Sequence, residues 1–251
     1  MRRVDAAVVI PCYNEATRLD LEAFREFLGG DPPIALVLVN DGSTDSTLTV
    51  LQELAAAFPG QVQVINQQPN RGKAEAVRVG LLAACDYAPI VGFWDADLAT
   101  PFPVMSQFLS ILGIRQEVQW VLGSRVKLLG RRIQRSELRH YFGRVFATGA
   151  SITLRLGVYD TQCGAKMFRV TPCFRTLIDK PFLSRWIFDV ELIARLTEAH
   201  RRNEAPAPED IIFEAPLDTW RDVEGSKVKP SDFLRSGGEL FRIWWRYLRH
   251  T

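Results

Sequence analysis

The first hundred residues alternate short apolar runs with helical patterns, and this alternation constrains the fold more than any other feature of the chain. The run 6–10 is continuously apolar and ends at Pro11, which is typical of a strand buried on both faces of a parallel sheet. Further strands are predicted at 34–39, 62–65 and 90–94, with helices at 21–28, 45–58 and 73–84. The repeated strand–helix–strand order predicts an α/β fold: a doubly wound, mostly parallel sheet with helices on both faces.

The rest of the chain is less regular. It carries a predicted strand at 118–123, a predicted helix at 186–199 and a late strand at 211–213. No internal repeat or low-complexity segment interrupts it, so we predict one elaborated domain over residues 1–251.

Composition excludes several classes of function. With 31 basic and 29 acidic residues, the chain has a net charge of +2, which gives no overall field to recruit nucleic acid. The four cysteines lack CxxC spacing and the three histidines are scattered, so we expect reduced thiols in a cytoplasmic protein and no zinc site. The N-terminus shows no signal peptide, and the longest uncharged run, 98–114, is broken by prolines, so we predict no membrane-spanning segment.

Polar residues follow the predicted strands at their carboxyl ends, where parallel α/β sheets bind ligands. The first strand is followed by Pro-Cys-Tyr-Asn-Glu (11–15) and the second by Asn-Asp-Gly-Ser-Thr-Asp (40–45). Asp45 suits the N-cap of the next helix, whereas Asp41 precedes the turn, where a buried acceptor would suit the N–H of a base. No GxGxxG follows the first strand and Gly72-Lys73 lacks the residues of a P-loop, so a dehydrogenase and a P-loop NTPase are poor fits.

Two carboxylates, Asp95 and Asp97, end the fourth predicted strand and point the same way. No cation faces them in the local sequence, so they would repel each other unless a divalent ion lies between them and a phosphate. Mg²⁺ is bound in this manner, by one or two carboxylates together with substrate phosphates. The pair therefore predicts a site for Mg²⁺ or Mn²⁺ and a diphosphate, although surface loops also produce DxD by chance.

The four motifs at 9–15, 39–45, 70–73 and 95–97 together resemble the family 2 glycosyltransferases, whose nucleotide-sugar-binding fold is called GT-A. The resemblance implies a nucleotide-sugar site in residues 1–100 and an acceptor half in 101–220. Residues 221–251 then form a basic amphipathic C-terminal segment, which the residue pattern itself indicates. It also implies that Asp95 and Asp97 hold the sugar nucleotide and its metal. The remaining residues that it assigns to the nucleotide-sugar site are Pro11, Asn14, Glu15, Asp41 and Arg71.

The second half resembles the polyprenyl-phosphate glycosyltransferases, in particular those that glucosylate dolichyl phosphate. The matching segments are 123–125, 134–136, 160–168, 185–192 and 224–228. This resemblance implies an inverting transfer of glucose from UDP-glucose to a polyprenyl phosphate. A family 2 enzyme acting on a hydroxyl, a GDP-mannose-dependent mannosyltransferase and a nucleotide-sugar-binding regulator remain alternatives, the last disfavoured by the intact Asp95/Asp97 pair.

A basic stretch from 125 to 144 supports a phosphate acceptor on physical grounds. Guanidinium groups match phosphate oxygens in bidentate fashion, and Arg135 and Arg139 would share one face of a helix. We predict that these two and Arg125 bind the acceptor phosphate; a solvated basic face is the alternative. Asp160 and Asp189 are candidates for positioning the acceptor or the sugar, or for acting as a base if the acceptor is a hydroxyl. The alternative for each is a structural role, in helix capping or in an ion pair.

The C-terminal residues 233–249 form an amphipathic helical pattern. Phe233, Gly237, Leu240, Phe241, Trp244, Trp245 and Leu248 fall on one side, and Arg235, Arg242, Arg246 and Arg249 on the other. Tryptophans with arginines are typical of a helix in an anionic headgroup layer, which would place the protein peripherally at the cytoplasmic face of a membrane. A helix packed on its own domain is an equal alternative.

Overall fold

A seven-stranded sheet lies at the centre of the protein, in the order β3-β2-β1-β4-β7-β5-β8. The computed structural model describes residues 4–134, 137–222 and 230–249, and the side chains of 4–134, 143–222 and 236–249. The strands are β1 (Ala6–Cys12), β2 (Ile34–Asp41), β3 (Val62–Gln67), β4 (Ile90–Trp94), β5 (Trp120–Ser124), β7 (Ala165–Arg169) and β8 (Ile212–Pro216). Only β7 runs antiparallel to its neighbours in this sheet. Two short strands, β6 (Arg132–Gln134) and β9 (Thr219–Arg221), pair separately.

Helices cover both faces of the sheet. One face carries α1 (Leu21–Gly29), α2 (Thr47–Ala57) and α4 (Pro103–Ile114), and the other carries α3 (Lys73–Cys85), α5 (Glu137–Leu154), α6 (Pro172–Asp179) and α7 (Phe188–Arg201). A single turn, α8 (Pro208–Ile211), precedes β8, and α9 (Pro230–Ile243) continues into a π-helical turn, Trp244–Leu248. The predicted doubly wound, mostly parallel α/β fold is thereby confirmed.

Burial on both faces explains why β1 is continuously apolar. Ala7 and Val9 pack into the cluster beneath α3 and α7, while Val8 and Ile10 pack into the cluster beneath α1 and α4, all fully buried. Both β1 and β2 run further than the sequence predicts, because Cys12 and Asn40 still pair in register. The ladder thus carries the first polar residues of both motifs to the carboxyl edge of the sheet.

The C-terminal segment divides its apolar residues between the core and solvent. Ile243 and Leu248 are buried in the cluster beneath α7, whereas Phe241, Trp244 and Trp245 remain 60%, 37% and 53% exposed. The predicted apolar side is thus split, with Leu240 and Leu248 on the core; the side chains of Phe233 and Arg235 lie outside the described residues. Within the part of the chain that the structure describes, no helix combines the length and apolar character needed to cross a bilayer.

Candidate active site

A cleft of about 870 Å³ opens at the carboxyl ends of β1, β2 and β4. Pro11, Glu15 and Asp41 line it on the side of the first two strands, and Asp95 and Asp97 line it after β4. Its opposite side is formed by α5, α9 and the segments before β7 and α7. The volume lies in the range of small-molecule sites, so the cleft can hold a ligand of nucleotide-sugar size.

The loops that follow β1 and β2 are joined by side-chain hydrogen bonds to the backbone. Asn14 donates its N–H to Ser43 Oγ at 3.0 Å and accepts at Oδ1 from the N–H of Thr44 at 2.8 Å. Asp45 accepts from the N–H of Thr47 at 3.0 Å, which lets α2 begin at Thr47 rather than at the predicted residue 45. Asn14 is therefore placed to hold the two loops together beside the cleft.

Asp41 lies at the end of β2 and is 3% exposed. Its carboxylate accepts from Gln67 Nε2 at 2.9 Å and from the backbone N–H groups of Arg71 and Gly72, both at 2.8 Å. A carboxylate has about four acceptor positions, so one remains for a ligand in the cleft that Asp41 lines. The backbone of Arg71 thus belongs to the site, while its side chain is exposed.

Gly42 follows Asp41 with a φ of 66°, a left-handed conformation that glycine adopts without strain. A Cβ at this position would clash with the backbone of Asn70. The close approach lets Asn70 Nδ2 donate to the carbonyl of Asp41 at 2.8 Å. The segment after β3 is thereby packed against the end of β2.

Asp95 pairs with a lysine that the sequence analysis did not assign to it. Lys73, the first residue of α3, places Nζ 2.5 Å from Asp95 Oδ1 and 5.8 Å from the ring centroid of Trp186. The local sequence offers no cation to the carboxylate pair, but the fold supplies one, because α3 brings Lys73 to Asp95 from outside that local sequence. Burial lowers the pKa of Lys73, but Asp95 and Asp189 outweigh it and raise the pKa above its usual value.

Gly164 makes room for the Asp95 carboxylate. A Cβ at residue 164 would overlap the Asp95 carboxyl group, and the Gly164 carbonyl accepts from the N–H of Asp95 at 2.9 Å. The start of the antiparallel strand β7 therefore fixes where this carboxylate lies.

Asp97 is half-buried and accepts from the N–H of Ala99 at 3.1 Å. Burial, with the neighbouring charge of Asp95, raises the pKa of Asp97. Burial and the charge of Asp95 both disfavour the ionised form of Asp97, and a bound cation would stabilise that form. The two carboxylates supply the hard oxygen ligands that Mg²⁺ and Mn²⁺ prefer, so the residues fit such an ion.

A divalent ion at this site needs ligands beyond the protein. Among the described residues, no three His, Cys, Asp or Glu side chains are grouped so that they could hold a metal. Substrate phosphates and water are the usual additional ligands of Mg²⁺. The arrangement therefore suits a cation that binds together with a phosphorylated ligand.

Asp160 holds Arg125 in place. Arg125 Nε and Nη2 donate to the two carboxylate oxygens at 2.7 and 2.8 Å, and the Arg125 N–H donates to Oδ2 at 3.0 Å. Burial would raise the pKa of Asp160, but the charge and hydrogen bonds of Arg125 outweigh it and hold that pKa well below its usual range. The bidentate face of Arg125, which the sequence analysis assigned to an acceptor phosphate, is thus turned to Asp160.

Asp189, at the start of α7, pairs with a buried lysine on β7. Lys166 Nζ lies 3.0 Å from Asp189 Oδ1 and donates to the carbonyl of Cys163 at 2.5 Å, and Lys166 is only 2% exposed. Burial raises the pKa of Asp189, although Lys166 and Lys73 oppose the rise. A lysine inside the apolar strand Ala165–Arg169 is the one sequence signal that could have indicated this pair.

The other predicted acceptor residues are not all described. Arg135 lies outside the described residues, as does the segment 224–228, and the side chain of Arg139 is likewise outside them. The structure instead brings Arg144, Arg185 and Arg242 to the cleft. Of the basic stretch 125–144, Arg125 and Arg144 line the cleft, and the acidic residues Asp160, Asp189, Asp222 and Glu239 line it as well.

A buried carboxylate, Glu191, joins the C-terminal segment to the loop before α7. It accepts from the N–H groups of Leu183 and Ser184 at 2.8 and 3.1 Å, and from Arg195 Nη2 and Tyr247 Oη at 2.8 and 3.0 Å. The same loop carries Arg185, whose Nη2 donates to Asn70 Oδ1 at 3.2 Å, and Trp186 beside Lys73. Trp186 lies in this loop, because α7 begins at Phe188 rather than at the predicted residue 186.

The fold matches that of the GT-A glycosyltransferases. The sequence profile of glycosyl transferase family 2 matches residues 7–173. The chain therefore belongs to glycosyl transferase family 2, has a GT-A fold and is a glycosyltransferase.

Individual relatives show which members of the family the chain is similar to. The chain is 31% identical to the dolichyl-phosphate beta-glucosyltransferase of Drosophila melanogaster over 98% of this chain and 76% of that one. It is 30% identical to the enzyme of the same name from Homo sapiens, over 96% and 75%. The crystal structure of glucosyl-3-phosphoglycerate synthase from Mycobacterium tuberculosis with Mn²⁺ and UDP-glucose shares the fold, with a TM-score of 0.61 and 20% identity over 96% and 76% of the two chains.

Proposed function

We propose that this glycosyltransferase transfers glucose from UDP-glucose to a polyprenyl phosphate, with inversion at the anomeric carbon. The observation that carries the proposal is the pair Asp95 and Asp97, which lines the same cleft as the guanidinium of Arg144. One side suits a cation and a diphosphate, and the other suits a second phosphate. The names of the relatives from Drosophila and human support a dolichyl-type phosphate as acceptor.

The donor binds at the ends of β1 and β2. Pro11 and Glu15 line the nucleoside end of the cleft, and the remaining acceptor position of Asp41 receives an N–H of the base. A structural neighbour that contains UDP-glucose supports uracil as this base. Lys73 lies next to the diphosphate, where its charge adds to that of the cation.

Asp97 and Asp95 are the residues that would hold Mg²⁺ or Mn²⁺, and the metal in the same neighbour supports this choice. A cation bound there stabilises the charge that develops on the departing diphosphate. The Ala99 N–H orients Asp97, and Gly164 leaves room for Asp95. These backbone contacts position both carboxylates before the donor arrives.

The transfer needs little general-base assistance. A phosphate monoester carries a charge of about −1.5 to −2 at neutral pH, so the attacking oxygen is already deprotonated. It forms a bond to C1 of glucose while the bond from C1 to the diphosphate oxygen breaks, and UDP departs with the electron pair. The contribution of the enzyme is then to align the two phosphates on opposite faces of the sugar and to stabilise the leaving group.

Asp160 and Asp189 act by positioning in this scheme. Asp160 has four protein donors, including three from Arg125, so it orients Arg125 at the acceptor side. Asp189 lines the cleft beside Gln162, whose Nε2 donates to it at 3.4 Å, and it faces the sugar of the donor. Arg135 and Arg139 stay candidates for binding the acceptor phosphate.

The C-terminal segment brings the protein to its lipid acceptor. The rings of Phe241, Trp244 and Trp245 form one exposed cluster with centroids 5.8 to 6.3 Å apart, and the Arg249 guanidinium lies 4.5 Å from the Trp245 ring. Exposed tryptophans and arginines suit the headgroup layer of an anionic membrane. The four cysteines are free thiols, which supports a position on the cytoplasmic face.

Incubation of the protein with labelled UDP-glucose, Mg²⁺ and a long-chain polyprenyl phosphate tests this function. We expect label in the organic phase, and loss of that label in EDTA. Parallel reactions contain GDP-mannose in place of UDP-glucose, or a polyprenol in place of its phosphate. Transfer only from GDP-mannose would overturn the donor, and transfer only to the alcohol would overturn the phosphate acceptor.

A further inference from the structure

A second, smaller cavity adjoins the cleft on its acceptor side. This groove of about 230 Å³ lies between α5 and the segment 157–159. Three residues, Arg144, Ala147 and Tyr159, line both the groove and the cleft. The two cavities therefore meet at these residues, which we call the junction.

Arg144 supplies the positive charge at the junction. Its guanidinium lies 4.1 Å from the centroid of the Tyr159 ring, and the N–H of Tyr159 donates to Glu214 at 2.8 Å, which fixes that residue. No carboxylate among the described residues lies within ion-pair distance of Arg144, whereas Arg125 has its Nε and Nη2 on Asp160. The hydrogen-bonding edge of Arg144 is thus placed for an anion from the cleft, with its face on the tyrosine.

The groove beyond the junction is partly apolar. Val158 and Ile152 contribute aliphatic groups, and Gly157 leaves space because nothing lies within 4 Å of a Cβ at that position. Hydroxyls occur along one edge, at Thr148 and Ser151. Ser151 Oγ is hydrogen-bonded to the carbonyl of Leu156 at 2.6 Å, so it adds little polarity to the groove.

The outer end of the groove reaches an exposed apolar surface of α5. Ile152 and Val145, two turns apart on the same helix face, are 72% and 71% exposed. Gly149 between them lies beside Leu240 of α9, whose Cδ1 is 3.9 Å from the Cβ position of the glycine. The groove thus runs from Arg144 at the cleft to an exposed apolar face of α5, which α9 contacts at Gly149.

We propose that Arg144 binds the phosphate of the acceptor at the junction and that the isoprene units next to this phosphate lie in the groove. The proposal rests on the proposed function, since it needs a polyprenyl phosphate as acceptor. It places the apolar chain along α5 and directs it toward the membrane side. The phosphate then points into the cleft, where the donor sugar lies.

The first test is Arg144→Gln, with Arg25→Gln on the exposed surface of α1 as the matched control. We expect the KM for polyprenyl phosphate to rise at least tenfold in Arg144→Gln, with partial recovery in Arg144→Lys. The KM for UDP-glucose and the thermal shift caused by UDP with Mg²⁺ stay unchanged, which shows that the donor side is intact. An unchanged acceptor KM, or an equal loss of donor binding, would overturn the role of Arg144.

The second test fills the groove without straining the backbone. Gly157→Phe adds a ring where space is open, and Gly113→Phe, also in open space at the end of α4, is the control. We expect Gly157→Phe to lower transfer to a long-chain polyprenyl phosphate at least fivefold and to spare transfer to methyl phosphate, which has no isoprene unit. An equal loss with both acceptors, or no loss with either, would refute the groove. If the wild type glucosylates neither phosphate, the proposed function fails as well; if it glucosylates them and the variants match it, only this inference fails.

Discussion

The proposed donor side and the proposed acceptor side of the cleft hold their polar groups in place by different means. On the donor side, backbone N–H groups do so: Asp41 accepts two of them, Asn14 one and Asp97 one. On the acceptor side, charged side chains do so, because Asp160 is bound to Arg125 and Asp189 to Lys166.

The difference decides which groups keep charge for a ligand. A backbone N–H orients a carboxylate without cancelling its charge, so the donor side stays negative and attracts a cation. An ion pair neutralises both members, so the acceptor pairs fix geometry and offer little field of their own. Lys73, paired with Asp95 at 2.5 Å, is the exception that moderates the donor side.

Breaking an acceptor-side pair gives the largest expected effect. In Lys166→Met, Asp189 remains buried at 6% exposure without its cation, which costs about 3–5 kcal/mol of unfolding free energy. Urea denaturation measures this loss, with Lys127→Met on an exposed loop residue as control. Addition of Asp189→Leu to Lys166→Met recovers most of the stability; a single variant as stable as wild type would show that the pair is not structural.

Removing a donor-side charge acts on activity instead. Asp97→Asn lowers the transfer rate on the order of 10²–10³-fold, or roughly 3–4 kcal/mol, through weaker stabilisation of the leaving group. Steady-state transfer assays measure the rate, and Asp210→Asn, an exposed carboxylate, is the control. Transfer at the wild-type rate in Asp97→Asn, or in EDTA, would contradict a metal-bridged diphosphate.

The thermal stability of the same variant, relative to wild type, should depend on pH. Burial raises the pKa of Asp97 in the folded protein above its unfolded pKa near 3.8. The contribution of Asp97 to the free energy of unfolding is therefore fully present below the unfolded pKa and is lost as the pH rises through the folded pKa. At neutral pH the ionised group therefore opposes folding. We expect Asp97→Asn to melt at a higher temperature than wild type at pH 7 and to lose this advantage at acidic pH; a lower melting temperature at pH 7 would contradict the charge argument.

Asp41 tests whether backbone donors are as important as ion pairs. Asp41→Asn replaces the carboxylate by a neutral amide, so the N–H groups of Arg71 and Gly72 lose a charged acceptor. Hydrogen bonds to a charged group contribute about 1.5–3 kcal/mol each. We expect UDP affinity to fall about 10- to 100-fold in calorimetry. Asp20→Asn, which keeps its capping bond to the N–H of Ala23, should bind UDP as wild type does; equal binding by both variants would remove Asp41 from the donor site.

The smallest effect concerns the exposed aromatic cluster. Trp244→Ser combined with Trp245→Ser should reduce co-sedimentation with anionic liposomes several-fold and lower the melting temperature only modestly, since the two side chains are 37% and 53% exposed. Binding should also weaken with salt, because charges are screened over about 8 Å at physiological ionic strength. Ile114→Ser, at an 82% exposed apolar residue on α4, is the control. Wild-type protein that does not sediment would exclude the membrane contact.

The donor side was largely predictable from the sequence, and the acceptor side was not. Asp41 ends β2, and Asp95 and Asp97 follow β4 within three residues. Parallel strands bring their carboxyl ends together, so local order was enough to group these residues. The Lys73–Asp95 contact depends on which helix begins beside β4, and Lys166–Asp189 depends on the antiparallel insertion of β7. Such pairings are set by topology, which spacing along the chain does not encode.

The C-terminal segment shows the same limit. Helical periodicity placed Leu240, Phe241 and Trp245 on one side, but a π-helical turn and the contacts with α7 divide them between core and solvent. The buried Ile243 belonged to neither predicted side. Periodicity identified an amphipathic helix, and tertiary packing decided which apolar residues it buries.

Gly164 has a consequence for how this site can change during evolution. It has no side chain to offer a ligand, yet any side chain there would occupy the space of the Asp95 carboxyl group. A glycine-to-alanine exchange, the smallest coding change in size, would force either β7 or the carboxylate to move. A relative that keeps both aspartates but has lost this glycine is therefore a candidate for an inactive descendant, identifiable from its sequence alone.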